Sequence, residues 1–313
     1  MADNCMFPTC KNVMEMTSED IQHLLEDIDT VLFDCEGTLW HLNKPLPGAV
    51  EVVNRLIDMG KQVFLISDNS TKTQKDLADS IRKMKFNVTN EQIINTAFLT
   101  ASFLKHAHFF KNVYVIGGNG ITEELRNADI VSFGMGPDET SVDVEGNLGN
   151  IEIFPNVGAV VVGHDIHLSY VKLLKAATYL RSPRCLFLGT NASDVLTSDD
   201  RCPVTLPGPG SLLKAIEAVS GREPFVIGKP CYYLDGYLHK EHNINSQKTL
   251  IIGDSADDDI EFGNMCGYIT FLVLSGETSM DQLVKSKSNL LKTPQFYSKS
   301  LDALAKYFEK EGN

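Results

Sequence analysis

Four short apolar runs, each followed directly or after one glycine by a polar residue, constrain the fold of this chain more than any other feature. The residues that follow the runs are Asp34, Ser67, Lys229 and Asp254. Segments with helical periodicity lie between the runs, and strands that alternate with helices predict a parallel sheet with right-handed crossovers. Because the carboxyl ends of parallel strands line one crevice, we expect these four side chains to converge there.

The first of these runs carries a second acid. Residues 31–33 lead into Asp34, Glu36 follows two residues later, and the pattern breaks at Gly37. This arrangement predicts a buried strand that delivers two carboxylates to a turn. Two carboxylates at one strand end can divide the roles of nucleophile and proton-transfer group between them.

The middle third of the chain differs in composition from the two ends. Its strand and helix patterns are interrupted by a polar, acidic and glycine-rich segment at residues 131–150, which predicts a loop or hairpin. We therefore predict an α/β protein with two domains. Residues 1–101 and 208–313 form the parallel-sheet core, and residues 102–207 form a separate small domain.

Composition excludes several classes of protein. With 313 residues, 43% of them hydrophobic, the chain is long enough for a large core, and its formal charge of -13 argues against binding to nucleic acid or to an anionic membrane. A small phosphate ester remains compatible, because one metal ion and one lysine can reverse the potential locally. Seven cysteines without a C-x-x-C pair indicate reduced thiols, and no apolar run suits a signal peptide or a membrane span. We expect a cytoplasmic protein.

A glycine-rich turn at residues 117–120 suggests an alternative function, the binding of a dinucleotide. Gly118 and Gly120 are followed by Glu123, where the dinucleotide-binding fingerprint requires a third glycine. A plain strand-to-helix turn is therefore the favoured interpretation, and an oxidoreductase is disfavoured.

The polar residues at the strand ends suit the hydrolysis of a phosphate monoester. An anionic phosphoryl group repels its attacker, so its charge must be neutralised during transfer. Asp34 and Asp254 offer the hard oxygen ligands that Mg²⁺ prefers, and Lys229 adds a compact positive charge. Asp34 can then attack phosphorus while Ser67 holds the phosphoryl oxygens, and Glu36 can protonate the leaving alkoxide and later activate water.

These residues lie in four segments that resemble the ordered motifs of the haloacid dehalogenase superfamily. The segments are Asp34-Cys35-Glu36-Gly37-Thr38, Ser67 with its Asp-Asn-Ser continuation, Gly228-Lys229-Pro230, and residues 253–259. Nearly the whole chain is similar to the phosphoglycolate/4-nitrophenyl phosphatases and pyridoxal phosphate phosphatases of that superfamily. The resemblance implies a Rossmann-like core with an inserted α/β cap domain, dependence on Mg²⁺, a small phosphorylated metabolite as substrate, and a homodimer formed through the cap.

The resemblance also assigns roles to individual residues. It implies that the catalytic residues are Asp34 and Glu36, and that the metal ligands are Asp34, Glu36, Asp254 and Asp259. It implies that the substrate-binding residues are Ser67, Asp68, Asn69 and Lys229. The physiological substrate is left open, since phosphoglycolate, glycerol phosphate and pyridoxal phosphate all fit the motifs.

Three residues depart from the family pattern: Glu36 replaces an aspartate, Asp68 an asparagine, and Asp258 a neutral residue. In similar enzymes the position of Glu36 binds magnesium through its backbone carbonyl, so the metal site is expected to survive. Its carboxylate is displaced by one methylene, and a misplacement of about 1 Å can cost about a hundredfold in rate. We therefore predict that Glu36→Asp raises turnover. Asp257 and Asp258 fit a helix N-terminus, which favours acids.

Several further residues are weaker candidates. His164 and His167 have metal-ligand spacing, but an isolated pair of this kind is more often structural. Trp40 is expected to pack in the core or in a flap over the site. In the cap, a recognisable signature is formed by Thr190, Asn191 and Asp194, and the loop that follows it to Pro207 is a candidate substrate contact. Leu196 lies near the position where the family reads its substrate.

Two classes of function remain after these exclusions. The favoured one is an active phosphatase, because the nucleophile, the lysine and the metal-binding acid are all present and Glu36 still carries a carboxylate. The alternative is a catalytically impaired relative that binds phosphorylated metabolites or partners without efficient turnover.

Overall fold

The structure, a computed structural model, describes residues 10–138, 146, 151–196, 204–286 and 288–311. The α-helices in chain order are α1 (Ser18–Asp27), α2 (Ala49–Asp58), α3 (Gln74–Lys83), α4 (Thr96–His106), α5 (Asn119–Asn127), α6 (Tyr170–Leu180), α7 (Pro209–Ser220), α8 (Tyr232–His242), α9 (Glu261–Cys266), α10 (Met280–Ser286) and α11 (Asp302–Glu311). Among the described residues, no helix combines the length and the apolar character that a membrane crossing requires.

The strands are short, and those at the centre of the two larger sheets are mainly buried. In chain order they are β1 (Lys11–Asn12), β2 (Thr30–Asp34), β3 (Trp40–His41), β4 (Lys44–Pro45), β5 (Gln62–Ser67), β6 (Ile93–Asn95), β7 (Asn112–Ile116), β8 (Ser132–Phe133), β9 (Val157–Val162), β10 (Leu186–Gly189), β11 (Val195–Leu196), β12 (Leu206–Pro207), β13 (Phe225–Val226), β14 (Thr249–Gly253), β15 (Ile269–Val273) and β16 (Phe296–Ser298). Strands alternate with helices along the chain, which confirms the predicted α/β class.

The chain divides into two compact units, and the first comprises the described parts of residues 1–67, 77–94 and 229–313. Its seven-stranded sheet has the order β1-β16-β15-β14-β2-β5-β6. The central pairs β14–β2 and β2–β5 are parallel, as the alternating pattern predicted. Val31, Leu32 and Phe33 are fully buried, which is typical of a strand covered on both faces of a parallel sheet.

The helix that precedes β2 begins as the sequence indicates. The Thr17 side chain accepts a hydrogen bond from the Asp20 N–H, and the Asp20 carboxylate accepts one from the Thr17 N–H, so the two residues form a capping box. Ile21 and Leu25 bury one face of α1 in the same core as Val31 and Phe33 of β2. The capped helix therefore leads directly into the strand that carries Asp34.

The second unit comprises the described parts of residues 68–76 and 95–228. Its five-stranded sheet has the order β13-β10-β9-β7-β8, and every pair in it is parallel. Helices α6 and α7 contribute to one core with β7 and β9, formed around Tyr114, Val160, Leu180 and Ile216. The unit interrupts the first one in sequence.

The limits of the second unit differ from the predicted domain 102–207. Strand β13 pairs with β10 of the five-stranded sheet, although its sequence suggested a strand of the core sheet. Leu212, Leu213 and Ile216 of α7 pack in the second unit for the same reason. The apolar character of residues 225–227 specifies a strand but not its partner, because the pairing with Leu188 and Gly189 is a contact distant in sequence.

The glycine-rich turn at residues 117–120 packs against residues 71 and 72 of the same unit. The Gly120 N–H donates to the Thr71 carbonyl at 3.0 Å, and a Cβ on Gly120 would lie 2.6 Å from the Lys72 backbone. Gly120 therefore permits two backbone segments of the second unit to approach closely. This contact supports the plain turn predicted above over a dinucleotide loop.

The polar segment at residues 131–150 is described only in part. It contains strand β8, whose Ser132 and Phe133 pair in parallel with Val113 and Tyr114, so this part is neither the loop nor the hairpin that was predicted. Residues 139–145 and 147–150 lie outside the described residues, as do Cys5, Cys202 and residues 197–203 of the candidate substrate loop.

Candidate active site

Three of the four polar residues that follow apolar runs lie at neighbouring strand ends of the first unit. Asp34 is the last residue of β2, Ser67 is the last residue of β5, and Asp254 follows β14. The order β14-β2-β5 and the pairing of Asp34 with Ile66 bring these ends side by side. The position of each residue at a strand end follows from the local pattern of a buried run that ends on a polar residue.

Lys229 reaches the same edge by another route. It is the first residue of the first unit after β13, and its Nζ lies 2.7 Å from Asp34 Oδ1 and 2.5 Å from Asp259 Oδ1. Our prediction that Lys229 ends a strand of the core sheet is wrong, since β13 belongs to the other sheet. The predicted convergence of Lys229 with Asp34 is nevertheless observed.

Asp254 lies in a space that two glycines leave open. A Cβ on Gly37 would be 2.3 Å from Asp254 Oδ2, and a Cβ on Gly276 would be 1.9 Å from the same oxygen. The Glu277 N–H donates to Oδ2 at 2.7 Å, and the Thr38 hydroxyl lies 3.3 Å from Oδ1. Any side chain at position 37 or 276 would displace this carboxylate.

Asp259 is oriented by a single turn of π-helix, Ala256–Ile260, that begins beside Asp254. The Asp259 N–H donates to the Ser255 carbonyl, and the Ser255 N–H donates to Asp259 Oδ2 at 3.1 Å. π-Helical turns occur frequently at functional sites. Here the turn directs the Asp259 side chain back toward Lys229, which lies against its other oxygen.

The site holds three carboxyl groups and one ammonium group. Asp34, Asp254 and Asp259 each offer a carboxylate oxygen, and these oxygens lie within 4.8 Å of one another. Burial, reinforced by the charges of Asp34 and Asp259, raises the pKa of Asp254 well above its usual value. Burial also raises the pKa of Asp259 to about 7, although Lys229 opposes this shift.

A divalent cation would correct that imbalance. Three carboxylates against one ammonium leave an excess of hard oxygen donors, and such oxygens are the ligands that Mg²⁺ prefers in proteins. The residues present therefore fit a magnesium ion held by Asp34, Asp254 and Asp259. The Glu36 carboxylate does not join this group, and magnesium binding by its backbone carbonyl stays a prediction.

The side chain of Glu36 contacts a hairpin in the same unit. Its Oε1 accepts a hydrogen bond from the Leu42 N–H at 2.8 Å and lies 3.2 Å from His41 Nδ1. The hairpin consists of β3 and β4, which pair in antiparallel fashion. The Glu36 side chain is 47% exposed, so a carboxylate at this position is accessible to a substrate.

Two of the predicted substrate ligands, Asp68 and Asn69, fall in the second unit. Asn69 Oδ1 accepts hydrogen bonds from the N–H and hydroxyl of Thr71, and the Asp68 carbonyl accepts one from Asn191 Nδ2. These contacts order the segment that follows β5. The substrate-binding roles of Asp68 and Asn69 stay predictions, as does that of Ser67.

The weaker candidates have structural contacts. Asp257 pairs with Lys292 at 2.8 Å, and the Asp258 N–H donates to Ser255 Oγ, as expected of acids in a first helical turn. Trp40 is buried and packs edge-on against Phe86, which confirms a core role.

The two histidines and the cap signature have contacts within the second unit. The His167 N–H donates to Asp165, and neither His164 nor His167 belongs to a cluster of potential metal ligands among the described residues. In the signature, Asp194 contacts Lys214. Leu196 pairs with Leu206 in a two-stranded sheet.

Sequence reasoning assigned no role to the residues that shape the space around Asp254. Gly276, Thr38 and the backbone of Glu277 are all adjacent to its carboxylate. The available signal was Gly276, which follows β15 much as Gly37 follows β2. A single glycine after a strand is typical of any turn, so this signal alone does not identify a site.

Comparisons with known proteins identify the family of the chain. A haloacid dehalogenase-like hydrolase profile matches residues 31–131, and a HAD-hydrolase-like profile matches residues 226–304. The glycerol-3-phosphate phosphatase of Homo sapiens is 33% identical over 305 residues, which cover 92% of this chain and 93% of that protein. The chain belongs to the haloacid dehalogenase-like hydrolases. The family predicted from the four motifs is therefore confirmed.

Two further relatives of this hydrolase extend the comparison. The chloroplastic phosphoglycolate phosphatase 1A of Arabidopsis thaliana is 35% identical over 287 residues, which cover 90% of this chain and 78% of that protein. A solved glycerol phosphate phosphatase from Mycobacterium tuberculosis, in complex with magnesium, superposes with a TM-score of 0.74. That structure covers 90% of this chain at 22% identity, with 79% of its own length matched, and so supports the fold.

Proposed function

We propose that this hydrolase is a Mg²⁺-dependent phosphatase that cleaves small phosphate monoesters through an aspartyl-phosphate on Asp34. The observation that carries the proposal is the group of three carboxylates around a buried lysine at the carboxyl edge of the core sheet. Relatives named as phosphatases of glycerol 3-phosphate and of phosphoglycolate support the same reaction class.

In the first half-reaction, a carboxylate oxygen of Asp34 attacks phosphorus. The bond between Asp34 and phosphorus forms while the ester bond between phosphorus and the leaving oxygen breaks. Glu36 supplies the proton that the leaving alkoxide requires. Lys229, 2.7 Å from Asp34, lowers the repulsion between the attacking carboxylate and the anionic phosphoryl group.

In the second half-reaction, water replaces the leaving group. Glu36, now deprotonated, accepts a proton from that water as its oxygen attacks the phosphorus of the aspartyl-phosphate. The bond between Asp34 and phosphorus breaks, inorganic phosphate leaves, and Glu36 holds the proton needed for the next cycle. Ser67 at the end of β5 is suited to donate a hydrogen bond to a phosphoryl oxygen.

The magnesium ion that the donor set fits would supply electrostatic stabilisation of the phosphoryl group. Asp34, Asp254 and Asp259 would hold it, and Gly37 and Gly276 keep the Asp254 carboxylate in place for that purpose. The magnesium complex of the Mycobacterium tuberculosis phosphatase, which shares the fold, supports magnesium as the choice of ion.

A colorimetric assay tests the proposal. Purified protein is incubated with 4-nitrophenyl phosphate, with Mg²⁺ and with chelator, beside the Asp34→Asn variant. We expect Mg²⁺-dependent release of 4-nitrophenol that Asp34→Asn lowers on the order of a thousandfold or more. Equal rates for the two proteins would contradict the proposal and favour the impaired relative. A panel that includes phosphoglycolate, glycerol 3-phosphate and pyridoxal phosphate then identifies the metabolite.

Two further expectations remain part of this proposal. A cytoplasmic location is supported by the free thiols of Cys185, Cys231 and Cys266, since reduced cysteines are typical of that compartment. Dimerisation through the second unit rests on the resemblance to the family, and sedimentation of the purified protein tests it.

A further inference from the structure

The hairpin beside the active site has an unusual turn. Leu42 and Asn43 connect β3 to β4, and both have left-handed backbone conformations, with φ of 47° and 60°. Two positive φ values suit the tight turn of a two-residue hairpin, but leucine adopts this conformation only at a cost. Backbone strain of this kind concentrates at functional sites, where the surrounding structure maintains it.

The strained residue contacts the catalytic region of the same unit. The Leu42 N–H points at Glu36 Oε1 with a donor–acceptor distance of 2.8 Å, and His41 Nδ1 lies 3.2 Å from the same oxygen. The backbone reinforces the contact, because Gly37 N–H donates to the Trp40 carbonyl at 2.8 Å. The hairpin is thus joined to the segment that carries Glu36 through both backbone and side chains.

Only one of the two carboxylate oxygens is engaged in this way. The Leu42 N–H donates to Oε1, His41 Nδ1 lies against the same oxygen, and Oε2 has no hydrogen-bond partner among the described residues. A general acid or base needs one oxygen that exchanges its proton with the substrate and a side chain that is otherwise held in place. In Glu36, Oε1 is held by its contacts and Oε2 is left to exchange the proton, so the carboxylate meets both requirements.

We propose that His41 is a positioning residue and that the hairpin is fitted to glutamate at position 36. In this inference, which rests on the proposed phosphatase function, His41 and the Leu42 N–H hold Oε1 while Oε2 exchanges the proton. Oε2 gives its proton to the leaving oxygen as the ester bond breaks. It receives one from water as the bond between phosphorus and Asp34 breaks.

A hairpin fitted to glutamate reverses the effect on turnover that the family pattern predicts for Glu36→Asp. Aspartate is one methylene shorter than glutamate, so Glu36→Asp withdraws the carboxylate from the Leu42 N–H. The lost contact leaves the acid misplaced by about 1 Å, which is enough to lower the rate by about tenfold to a hundredfold. The structural contacts therefore favour a decrease in turnover, where the sequence alone predicted an increase.

The test compares steady-state kinetics of variants with 4-nitrophenyl phosphate, a substrate whose leaving group needs no protonation. His41→Ala slows only the hydrolysis of the aspartyl-phosphate, the step that uses Glu36 as a base. We expect kcat and KM to fall together by about threefold to tenfold while kcat/KM stays within twofold of the wild type. A merely structural role would lower kcat/KM as well.

Two matched variants separate positioning from general damage to the hairpin. His41→Asn places an N–H donor where Nδ1 stands and carries no charge, so it should restore kcat to within about twofold of wild type. Lys44→Ala alters the exposed cross-strand neighbour of His41 and should leave all constants unchanged.

The outcomes distinguish this inference from the proposed function. A wild type no faster than Asp34→Asn overturns the phosphatase proposal itself. A wild type that is much faster than Asp34→Asn, together with an unchanged kcat for His41→Ala or a raised kcat for Glu36→Asp, overturns the fitted hairpin and leaves the phosphatase proposal standing.

Discussion

Two buried lysines, one in each unit, contact carboxylates that follow parallel strands, yet the charge around them differs. Lys172 on α6 lies 2.6 Å from Asp165, and both side chains are almost fully buried as a one-to-one pair. Lys229 contacts two carboxylates, with Asp254 as a third in the same group. Balanced charge indicates a structural pair, whereas an excess of carboxylates indicates a site that requires a cation or a ligand.

The hydrogen bonds of the two sites support the distinction. Asp165 is satisfied on both oxygens, by Lys172 and by the His167 N–H. Asp254 and Asp259 remain crowded by like charge, and the pKa of each carboxyl is raised by burial. The first arrangement is complete within the protein, whereas the second has an excess of carboxyl groups that a bound cation would offset.

The largest expected effect is a loss of folding stability at the one-to-one pair of Lys172 and Asp165. Lys172→Met leaves Asp165 buried without its partner, and breaking such a pair costs about 3–5 kcal/mol of folding free energy. Urea denaturation should show this loss, and the double variant Lys172→Met with Asp165→Leu should recover most of it. A single variant as stable as wild type would contradict the structural interpretation of the pair.

Catalytic activity should depend on Lys229 rather than on Lys172. Lys229→Met removes the positive charge beside Asp34, and we expect kcat for 4-nitrophenyl phosphate to fall by about 10²–10³. Lys172→Met should keep kcat per folded molecule within about twofold of wild type. If both variants lost activity equally, the charge balance would not separate structural from catalytic lysines.

The space around Asp254 offers a smaller but specific test. Gly276→Ala places a methyl group 1.9 Å from Asp254 Oδ2, so the carboxylate must move. A displacement of about 1 Å at a reacting centre is expected to cost about a hundredfold in kcat/KM. Gly236→Ala in helix α8 is the matched control, since no atom beyond its own stretch of helix backbone lies within 4 Å of its added Cβ. Normal activity for Gly276→Ala would show that the glycine is not required.

Mg²⁺ should stabilise the folded protein through the group of Asp34, Asp254 and Asp259, and not through the pair of Lys172 and Asp165. At a concentration a hundredfold above its Kd, a ligand that binds only the folded state contributes about 2.7 kcal/mol, which thermal denaturation detects as a rise in Tm. Asp254→Asn should lose this response, and Asp165→Asn should retain it. If Mg²⁺ still raised the Tm of the Asp254→Asn variant, the ion would bind at another site.

The Mg²⁺ effect should also depend on pH. Folding raises the pKa of Asp259 to about 7, so in chelator its contribution to stability is complete at low pH and is lost as the pH rises through 7. Mg²⁺ favours the ionised carboxylates, so the rise in Tm should be larger at pH 8 than at pH 6. An equal rise at both values would contradict the coupling.

Sequence reasoning predicted the parts of this site that depend on local pattern. A buried run that ends on a polar residue specifies Asp34, Ser67 and Asp254, because strand and turn preferences act over a few residues. The partner of a strand is not local, and so β13 was assigned to the wrong sheet while Lys229 was correctly grouped with Asp34.

The contacts of the Glu36 side chain could not be predicted from the sequence for a similar reason. Its contacts depend on the backbone of Leu42, and a leucine gives no indication of a left-handed conformation. The same holds for Gly276, whose importance lies in the absence of a Cβ beside a carboxylate distant in sequence. Local preference identifies the reacting groups, and tertiary contacts decide how they are held.

The most direct test of the account is to trap the phosphoryl group. Glu36→Gln removes the base for the second half-reaction but not the nucleophile, so 4-nitrophenyl phosphate with Mg²⁺ should release a burst of one equivalent of 4-nitrophenol. Acid quenching and peptide mass spectrometry should then place one phosphoryl group on Asp34, and none in the variant that also carries Asp34→Asn. A phosphoryl group on another residue, or the absence of both burst and adduct from Glu36→Gln, would contradict the account.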